Sequence, residues 1–503
     1  MCWRFVGAIT AIKLALHLYA IEGYGIFRDE LYYLACADHL DWGYVDHPAL
    51  SILILWILKS LFGTSLLALR ILPALTGTLT VVVVAATARE MNGGRVAQLI
   101  AATATLVAPV YLSLNHTYSM NSISLLLWAT TAFLVARLVR TQTAYLWLAI
   151  GGVLALGLAN KIDFLWLGAG LGVGLVLTPE RRWLRTRWPW LTGAIALGGL
   201  APYIFWQMRH DWPTLEFVRA ATTEKMASVS IFDFISGQIL VMNPFTVPIS
   251  IAGLVYLALH QRVRKFQILG WIFVTVAVIL AASGTSRDFY LSPAYTALFA
   301  AGGVAFEMIL SRWKSSLPTW TTVTVLLVGG AAAAPLALPV LPVPTYLRYA
   351  AALGFSPSTE ERKEVGELPQ YFADMHGWSD IASTVVRIVE SLPCDEREKL
   401  RIFAPDYGVA GAIDHFGRSA GLAPAMSGHN NYWFWGPGDF DGGTLIEIGG
   451  RRDELEGLFT SVELAATIDC GLCMPYENDR PVWVCRGFKG DFSELWPRVK
   501  HFD

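Results

Sequence analysis

Residues 66–88 read Leu66-Leu67-Ala68-Leu69-Arg70-Ile71-Leu72-Pro73-Ala74-Leu75-Thr76-Gly77-Thr78-Leu79-Thr80-Val81-Val82-Val83-Val84-Ala85-Ala86-Thr87-Ala88, an almost unbroken apolar run. A helix rises about 1.5 Å per residue, so a run of this length matches the roughly 30 Å hydrocarbon core of a bilayer. Runs of the same kind recur on both sides of it. Together they give eleven candidate spans, near 5–23, 66–88, 96–113, 119–138, 143–160, 162–178, 189–207, 244–260, 267–283, 290–310 and 319–341. The stretch 49–62 is apolar but short, and it holds Lys59. It reads as an amphipathic helix lying in the membrane interface. The apolar start at Phe5 has no small-residue cleavage site behind it, and reads as an uncleaved first span.

Composition agrees with a membrane chain. Of 503 residues, 54% are hydrophobic and 16% charged, where soluble proteins carry about 25% charged residues. The deficit ends near Leu341, and from Phe355 onward the chain is rich in Asp, Glu, Arg and Gly. The expected architecture is a polytopic α-helical membrane domain over 1–345, with a first outer loop at 24–65. A soluble α/β domain over 346–503 follows. Leu400–Ala404 and Pro481–Cys485 read as buried strands, and Ala410–Ala420 as a helix after an Asp406-Tyr407-Gly408 turn. The net charge of −2 and the lack of a long basic block argue against a nucleic-acid partner.

Basic residues orient the spans. One set of loops holds Arg89, Arg95, Arg137, Arg140, Arg181, Arg182, Arg185, Arg187, Arg262, Arg264, Lys265, Arg312 and Lys314. The opposite set holds Arg28, Lys59, Lys161, Arg209, Arg219, Lys225 and Arg287 over longer stretches. The rich set is therefore cytoplasmic, as is the N-terminus. The loops 24–65 and 208–243 and the whole C-terminal domain are expected outside.

The first outer loop carries Arg28-Asp29-Glu30-Leu31-Tyr32-Tyr33 and then Gly43-Tyr44-Val45-Asp46-His47-Pro48. Adjacent carboxylates beside an apolar boundary are costly unless paired, hydrated or bound to a cation. They are either the acidic first turn of an interfacial helix or part of a site. Asp46 and His47 on the same loop add a second carboxylate and an imidazole, enough for a general base and a cation site. Asn115, His116, Tyr118, Asn121, Asn160, Lys161, Asp163, Arg287, Asp288 and Tyr290 fall at span ends on the same side. Each alone reads as a cap or internal ion pair. Their common side is the argument, with Lys161 and Arg287 as fixed cations at headgroup depth for a lipid phosphate.

These blocks, with Tyr118-Ser119-Met120-Asn121, Asn160-Lys161 and Arg287-Asp288-Phe289-Tyr290-Leu291-Ser292-Pro293-Ala294-Tyr295, resemble those of the GT-C glycosyltransferases. The similarity is to bacterial members of the dolichyl-phosphate-mannose–protein mannosyltransferase type (glycosyltransferase family 39). The tail stretch Ser427-Gly428-His429-Asn430-Asn431-Tyr432-Trp433-Phe434-Trp435-Gly436-Pro437-Gly438 resembles the extracytoplasmic domain of the same bacterial subgroup. The resemblance implies a multi-pass plasma-membrane enzyme that takes a sugar from a polyprenyl-phosphate donor. Inversion at the anomeric carbon and an acidic base in the first loop come with it. Asp29 is then the base, with Glu30 and Asp46 supporting it or binding a cation. Lys161, Arg287 and Tyr290 would hold the donor phosphate. The acceptor (lipid, glycan or protein) would meet His429, Asn431, Trp433 and Trp435. Relatives differ in their use of a divalent metal, so Asp46, His47 and His116 stay open as its ligands. The luminal insert of the eukaryotic enzymes is missing, so a protein acceptor is not carried over.

The bland reading of Asn431–Trp435 is packing or an interfacial anchor. The six cysteines include Cys470-Gly471-Leu472-Cys473, with no second pair or nearby histidines for zinc. A disulfide there depends on the compartment; the pairing of Cys394, Cys470, Cys473 and Cys485 stays open. A secondary transporter or flippase is the alternative. Transporters carry charges near the midplane and show internal repeats; here the charges gather at one face, and within the membrane part (1–345) the Asp-Glu pair occurs once.

Overall fold

The computed structural model describes residues 2–259 and 265–503. Arg262 and Arg264 of the basic loops, and the last position of the span predicted at 244–260, lie outside the described residues.

Each predicted apolar span is helical. The first is Trp3–Ala20, and the second, Leu66–Glu90, starts on a Ser65 cap whose hydroxyl accepts from the Ala68 N–H at 3.2 Å. The span predicted at 96–113 is broken in two, Arg95–Val107 and Pro109–Ser113. Pro109 forces this, because the residue before a proline is pushed out of helical geometry, and Ala108 has ψ 114°. Then come Met120–Thr141, Leu146–Asn160, Phe164–Leu177, Trp188–Arg209, Val247–Leu259, Gln267–Ser283, Tyr295–Leu310 and Leu317–Ala337. Among the described residues, four helices are long and apolar enough to cross a membrane: Leu66–Glu90, Met120–Thr141, Asp288–Leu310 and Leu317–Ala337. A fifth is formed if the pair Ile231–Val241 and Pro244–Leu259, bent by 93°, counts as one. Two of the shorter apolar helices are cut short for a local reason. Leu146–Asn160 has 15 residues and Phe164–Leu177 has 14, about 22 Å each, because polar Lys161 and Asp163 separate them at one face.

Stretch 49–62 forms the helix Leu50–Phe62. It buries Ser51, Ile52 and Leu55 and exposes Trp56, Leu61 and Phe62, as an interfacial helix would. The preceding loop holds a second helix, Arg28–Asp38, all but three of whose residues are buried.

The tail carries one five-stranded sheet in the order β2-β1-β3-β5-β4, with β1 Arg401–Phe403, β2 Ala425–Met426, β3 Thr444–Ile448, β4 Phe459–Thr467 and β5 Pro481–Phe488. β1 pairs in parallel with β2 and β3, while β5 is antiparallel to β3 and β4. The β1–β2 crossover is the helix Tyr407–Phe416. It starts three residues before the predicted Ala410 because Asp406 caps it, accepting from the Gly408 and Val409 N–H groups at 2.9 and 3.1 Å. Cys470 and Cys473 form a disulfide. The helix Val343–Ala352 runs across position 345.

The hydrophobic core divides unevenly. One cluster fills the bundle. A second is shared by the first loop and the tail, joining Leu31, Tyr32, Cys36 and Tyr44 to Trp378, Ile402, Val409 and Ile446. Two glycines allow that closeness. A Cβ at Gly408 would come within 2.7 Å of Arg28 Cγ, and one at Gly411 within 2.9 Å of Leu31 Cβ. The tail therefore sits on the first-loop end of the bundle, its crossover helix pressed against Arg28–Asp38.

Candidate functional site

The two adjacent carboxylates part company at the start of helix Arg28–Asp38. Glu30 is fully buried. Its carboxylate accepts from Arg70 Nε (3.1 Å) and Nη2 (2.8 Å), from the Phe27 N–H (2.9 Å) and from the Tyr118 N–H (2.8 Å). Arg70 is saturated in turn, donating also to the Ile21 and Gly25 carbonyls (2.8 and 2.6 Å) and to His116 Nε2 (3.3 Å). Every lone pair that Glu30 could offer a substrate is engaged. Glu30, expected to support Asp29 or bind a cation, thus ties the first loop to the second span. Arg70 escaped the sequence reading, although a charge inside an apolar run is the signal that finds such residues.

Asp29 is different. Its side chain is 40% accessible. It accepts one hydrogen bond, from the Tyr407 hydroxyl at 2.9 Å, and has Arg28 Nε at 3.8 Å. Asp46 is 20% accessible and lies 3.1 Å from the Tyr32 hydroxyl, which is equally far from Asn431 Oδ1. The Tyr32 and Tyr407 rings pack at 4.7 Å. The structure thus brings Asp29 and Asp46 together through a tyrosine pair, one ring from the loop and one from the tail.

Arg28 ties this corner down. It donates to the Tyr476 hydroxyl at 2.6 Å and lies 3.7 Å from Asp374 and 3.9 Å from Glu361. Burial pushes the Asp374 carboxyl up to about 7 against the pull of Arg28. Burial, with Asp406 nearby, pushes Glu477 up to about 8. Glu361 is held below the ordinary glutamate value: burial opposes this, and Lys225, Arg28 and Arg287 outweigh it.

The cations converge here too. Arg287 pairs with Glu361 at 3.0 Å and Glu360 at 3.7 Å. Burial works against its charge, but Tyr290, Glu360, Glu361 and Asp29 hold the guanidinium above its ordinary value. Lys161 donates to Asn121 Oδ1 at 2.7 Å, pairs with Asp163 at 3.4 Å, and lies 5.3 Å from the Tyr290 ring. Tyr290 therefore stands beside both predicted phosphate cations. The sequence reading counted Lys225 among the outer basic residues without assigning it a role. It ends the short helix Ala221–Lys225, and Met226 bridges to Glu361. Burial pushes its ammonium below the usual lysine value while Glu361 supports the charge, and it makes no ion pair among the described residues.

The residues expected to meet the acceptor have these partners. Asn431 is buried and accepts from the Val45 N–H at 2.7 Å. Trp433 and Trp496 exchange indole-to-carbonyl hydrogen bonds at 3.1 and 3.0 Å. Trp435 stacks on His39 at 4.2 Å. His429 is buried, and its Nδ1 accepts from the Tyr407 N–H at 3.3 Å. Asn431 and Trp435 thus reach the first loop, while Trp433 packs within the tail.

The residues left open as metal ligands lie as follows. His116 faces Arg70, and His47 is buried with Nε2 at 3.8 Å from Asp46. Among the described residues one group has the donors and closeness to hold an ion: His429, His501 and Asp503, within 4.8 Å of one another. There, Nδ1 of His429 accepts from backbone, so Nε2 carries the proton and donates toward Asp503. Burial and His501 push His429 down to about 4, which keeps it neutral. A metal would have to displace that proton, so the arrangement is a hydrogen-bonded one. A groove of about 460 Å³ lies elsewhere in the tail, lined by Arg387, Glu463 and Arg486 among others; it shares no residue with the site.

Residues 46–206 match the sequence model of the family described as dolichyl-phosphate-mannose-protein mannosyltransferase. No curated protein matches the chain. The fold is similar to the crystal structure of ArnT from Cupriavidus metallidurans bound to undecaprenyl phosphate, with TM-score 0.63 at 14% identity over 96% of this chain and 98% of that one. The apo state of the same protein aligns with TM-score 0.63 at 15% identity, over 95% and 97%. The chain therefore has a GT-C-type membrane fold with a small C-terminal sheet domain.

Proposed function

We propose that this chain is an inverting glycosyltransferase. It moves a sugar from a polyprenyl-phosphate donor to an acceptor hydroxyl on the extracytoplasmic face of the plasma membrane, with Asp29 as the base. The observation that carries this reading is an accessible carboxylate, Asp29, set at the same end of the bundle as Arg287, Lys225 and Lys161. The domain division at 345/346, the cytoplasmic N-terminus and the external tail belong to the same proposal. The undecaprenyl phosphate bound in the ArnT crystal structure supports the donor class.

The chemistry is a single displacement. The acceptor oxygen forms a bond to the anomeric carbon from the face opposite the phosphate. The bond from that carbon to the phosphate oxygen breaks, and the polyprenyl phosphate leaves with the electron pair. Asp29 takes the hydroxyl proton. Phosphate is a good leaving group, so alignment, one base and cations for the departing charge suffice. Asp46 stays beside Asp29 as a supporting carboxylate.

The test is transfer of a labelled sugar from a polyprenyl-phosphate donor by purified protein. Asp29→Asn keeps the shape and removes the base, so turnover should fall by about 10²–10⁴ while undecaprenyl phosphate still binds. Activity within a few-fold of the parent would refute the base. A phosphatase reporter, which works only outside the cytoplasm, should be active when fused after Asp503; an inactive fusion made in normal amount would overturn the orientation.

A further inference from the structure

We infer that Tyr407, a residue of the soluble domain, is the positioning residue for the Asp29 base, so that the tail completes the catalytic centre. The inference rests on the reading of Asp29 as base. A general base works only if its free lone pair is held toward the acceptor proton, and an error of 1 Å in such placement costs about 10²-fold. Asp29 lies at the first turn of its helix with its side chain 40% accessible. A half-exposed aspartate rotates freely unless something holds it.

Among the described residues, the hydrogen bond that holds the Asp29 side chain is the one from Tyr407, which reaches Oδ1 at 2.9 Å. Oδ2 is left for the incoming proton. Arg28, at 3.8 Å, contributes charge without a hydrogen bond. It is itself committed to Tyr476 and Asp374. The other groups that face Asp29 electrostatically are Arg287, Asp374 and Tyr33, none of which fixes the rotamer.

Tyr407 is rigid enough for the task. It is 8% exposed. Its ring is held between Tyr32 at 4.7 Å and His429 at 4.6 Å, with the Arg28 guanidinium 5.6 Å from its centre. Its N–H is tied to His429 Nδ1 at 3.3 Å. It opens a helix that Asp406 caps, and Asp406 is anchored by Arg480 at 3.4 Å. Gly408, one residue on, lets that helix close onto Arg28. The aromatic and histidine residues of the tail thus serve the base indirectly: His429 holds Tyr407, and Tyr407 holds Asp29.

The experiment uses the full chain in four forms: parent, Tyr407→Phe, Asp29→Asn and the double variant. Turnover is measured with a labelled polyprenyl-phosphate sugar and normalised to undecaprenyl phosphate binding sites, which corrects for misfolded protein. Tyr407→Phe removes one oxygen. It should lower kcat roughly 10- to 100-fold and leave donor KM and undecaprenyl phosphate affinity within two-fold of the parent. In the Asp29→Asn background it should change nothing further, because a residue that acts through Asp29 has nothing left to position. Tyr407→Phe turning over within two-fold of the parent while Asp29→Asn is inactive overturns the inference and spares the base. So does an equal slowing in both backgrounds, which marks a structural role. An active Asp29→Asn removes the base and this inference together.

Discussion

In the bundle, helices meet through small uncharged residues. Gly302 lies on the Ile249 carbonyl and Gly303 on the Ala97 carbonyl, both too close for a side chain. At the seam between first loop and tail, Arg28 alone reaches Tyr476, Asp374 and Glu361, and Tyr32 and Tyr407 bind carboxylates. At these glycine contacts the bundle is cohesive through close backbone approach, with no charge to satisfy. The seam is cohesive because nearly every charge is satisfied, and the exceptions are informative. Glu30 and Asp29 are neighbours in sequence, yet Glu30 accepts four hydrogen bonds in a buried niche, while Asp29 accepts one and faces water. Where the fold saturates a carboxylate, it is using it as structure; where it holds only one oxygen, the other is free for chemistry.

Exchange of the two neighbours gives the largest test of that contrast. Glu30→Gln leaves the Arg70 guanidinium buried without a countercharge. Removing one partner of such a pair costs about 3–5 kcal/mol, so the variant should show a clearly lowered thermal midpoint and a poor yield. Turnover per folded molecule should stay within a few-fold of the parent. Asp29→Asn should do the reverse, with normal stability and lost turnover. If purified Glu30→Gln were as stable as the parent but inactive, the roles would be inverted and the contrast broken.

The helical part of the fold was legible because long apolar runs allow few alternatives, and basic-loop counting brought the candidate residues to one side. The pairing within the site was not legible. Glu30 meets Arg70 across 40 positions and Asp29 meets Tyr407 across 378, distances at which single-sequence patterns carry no information. The Asp29-Glu30 dipeptide itself cannot say which carboxylate is buried; that is decided by Arg70, which looks like a flaw in an apolar run. The tail's aromatic stretch was legible as unusual, but not its partners: Trp433 pairs with Trp496 within the tail, and Trp435 stacks on His39 at the seam. Lys225 was hidden by an undistinguished loop, and gains interest only when the chain folds it beside Glu361 and Arg287.

The smaller test concerns those cations, and it sharpens the idea that partial satisfaction marks function. Arg287 shares its guanidinium with Glu360 and Glu361, Lys161 is held by Asp163 and Asn121, and Lys225 makes no ion pair among the described residues. A phosphate arriving at this corner must compete with carboxylates for Arg287 and Lys161, whereas Lys225 has no such bond to break. A charge-assisted hydrogen bond contributes about 1.5–3 kcal/mol, which is roughly 10- to 150-fold in affinity. Alanine at each position should therefore weaken undecaprenyl phosphate binding and raise donor KM, most for Lys225, less for Arg287, and least for Lys161. kcat should fall less than affinity, since these groups already hold the phosphate in the bound donor and only the extra charge of the departing phosphate is felt in turnover. The carboxylates supply the control. Glu361→Gln frees Arg287 from its closest partner and should tighten binding slightly, provided the seam holds. Unchanged affinity in all three cation variants would remove the phosphate assignment. A Lys161 effect larger than that of Lys225 would show that pre-existing pairing does not set the order, and that geometry around Tyr290 does.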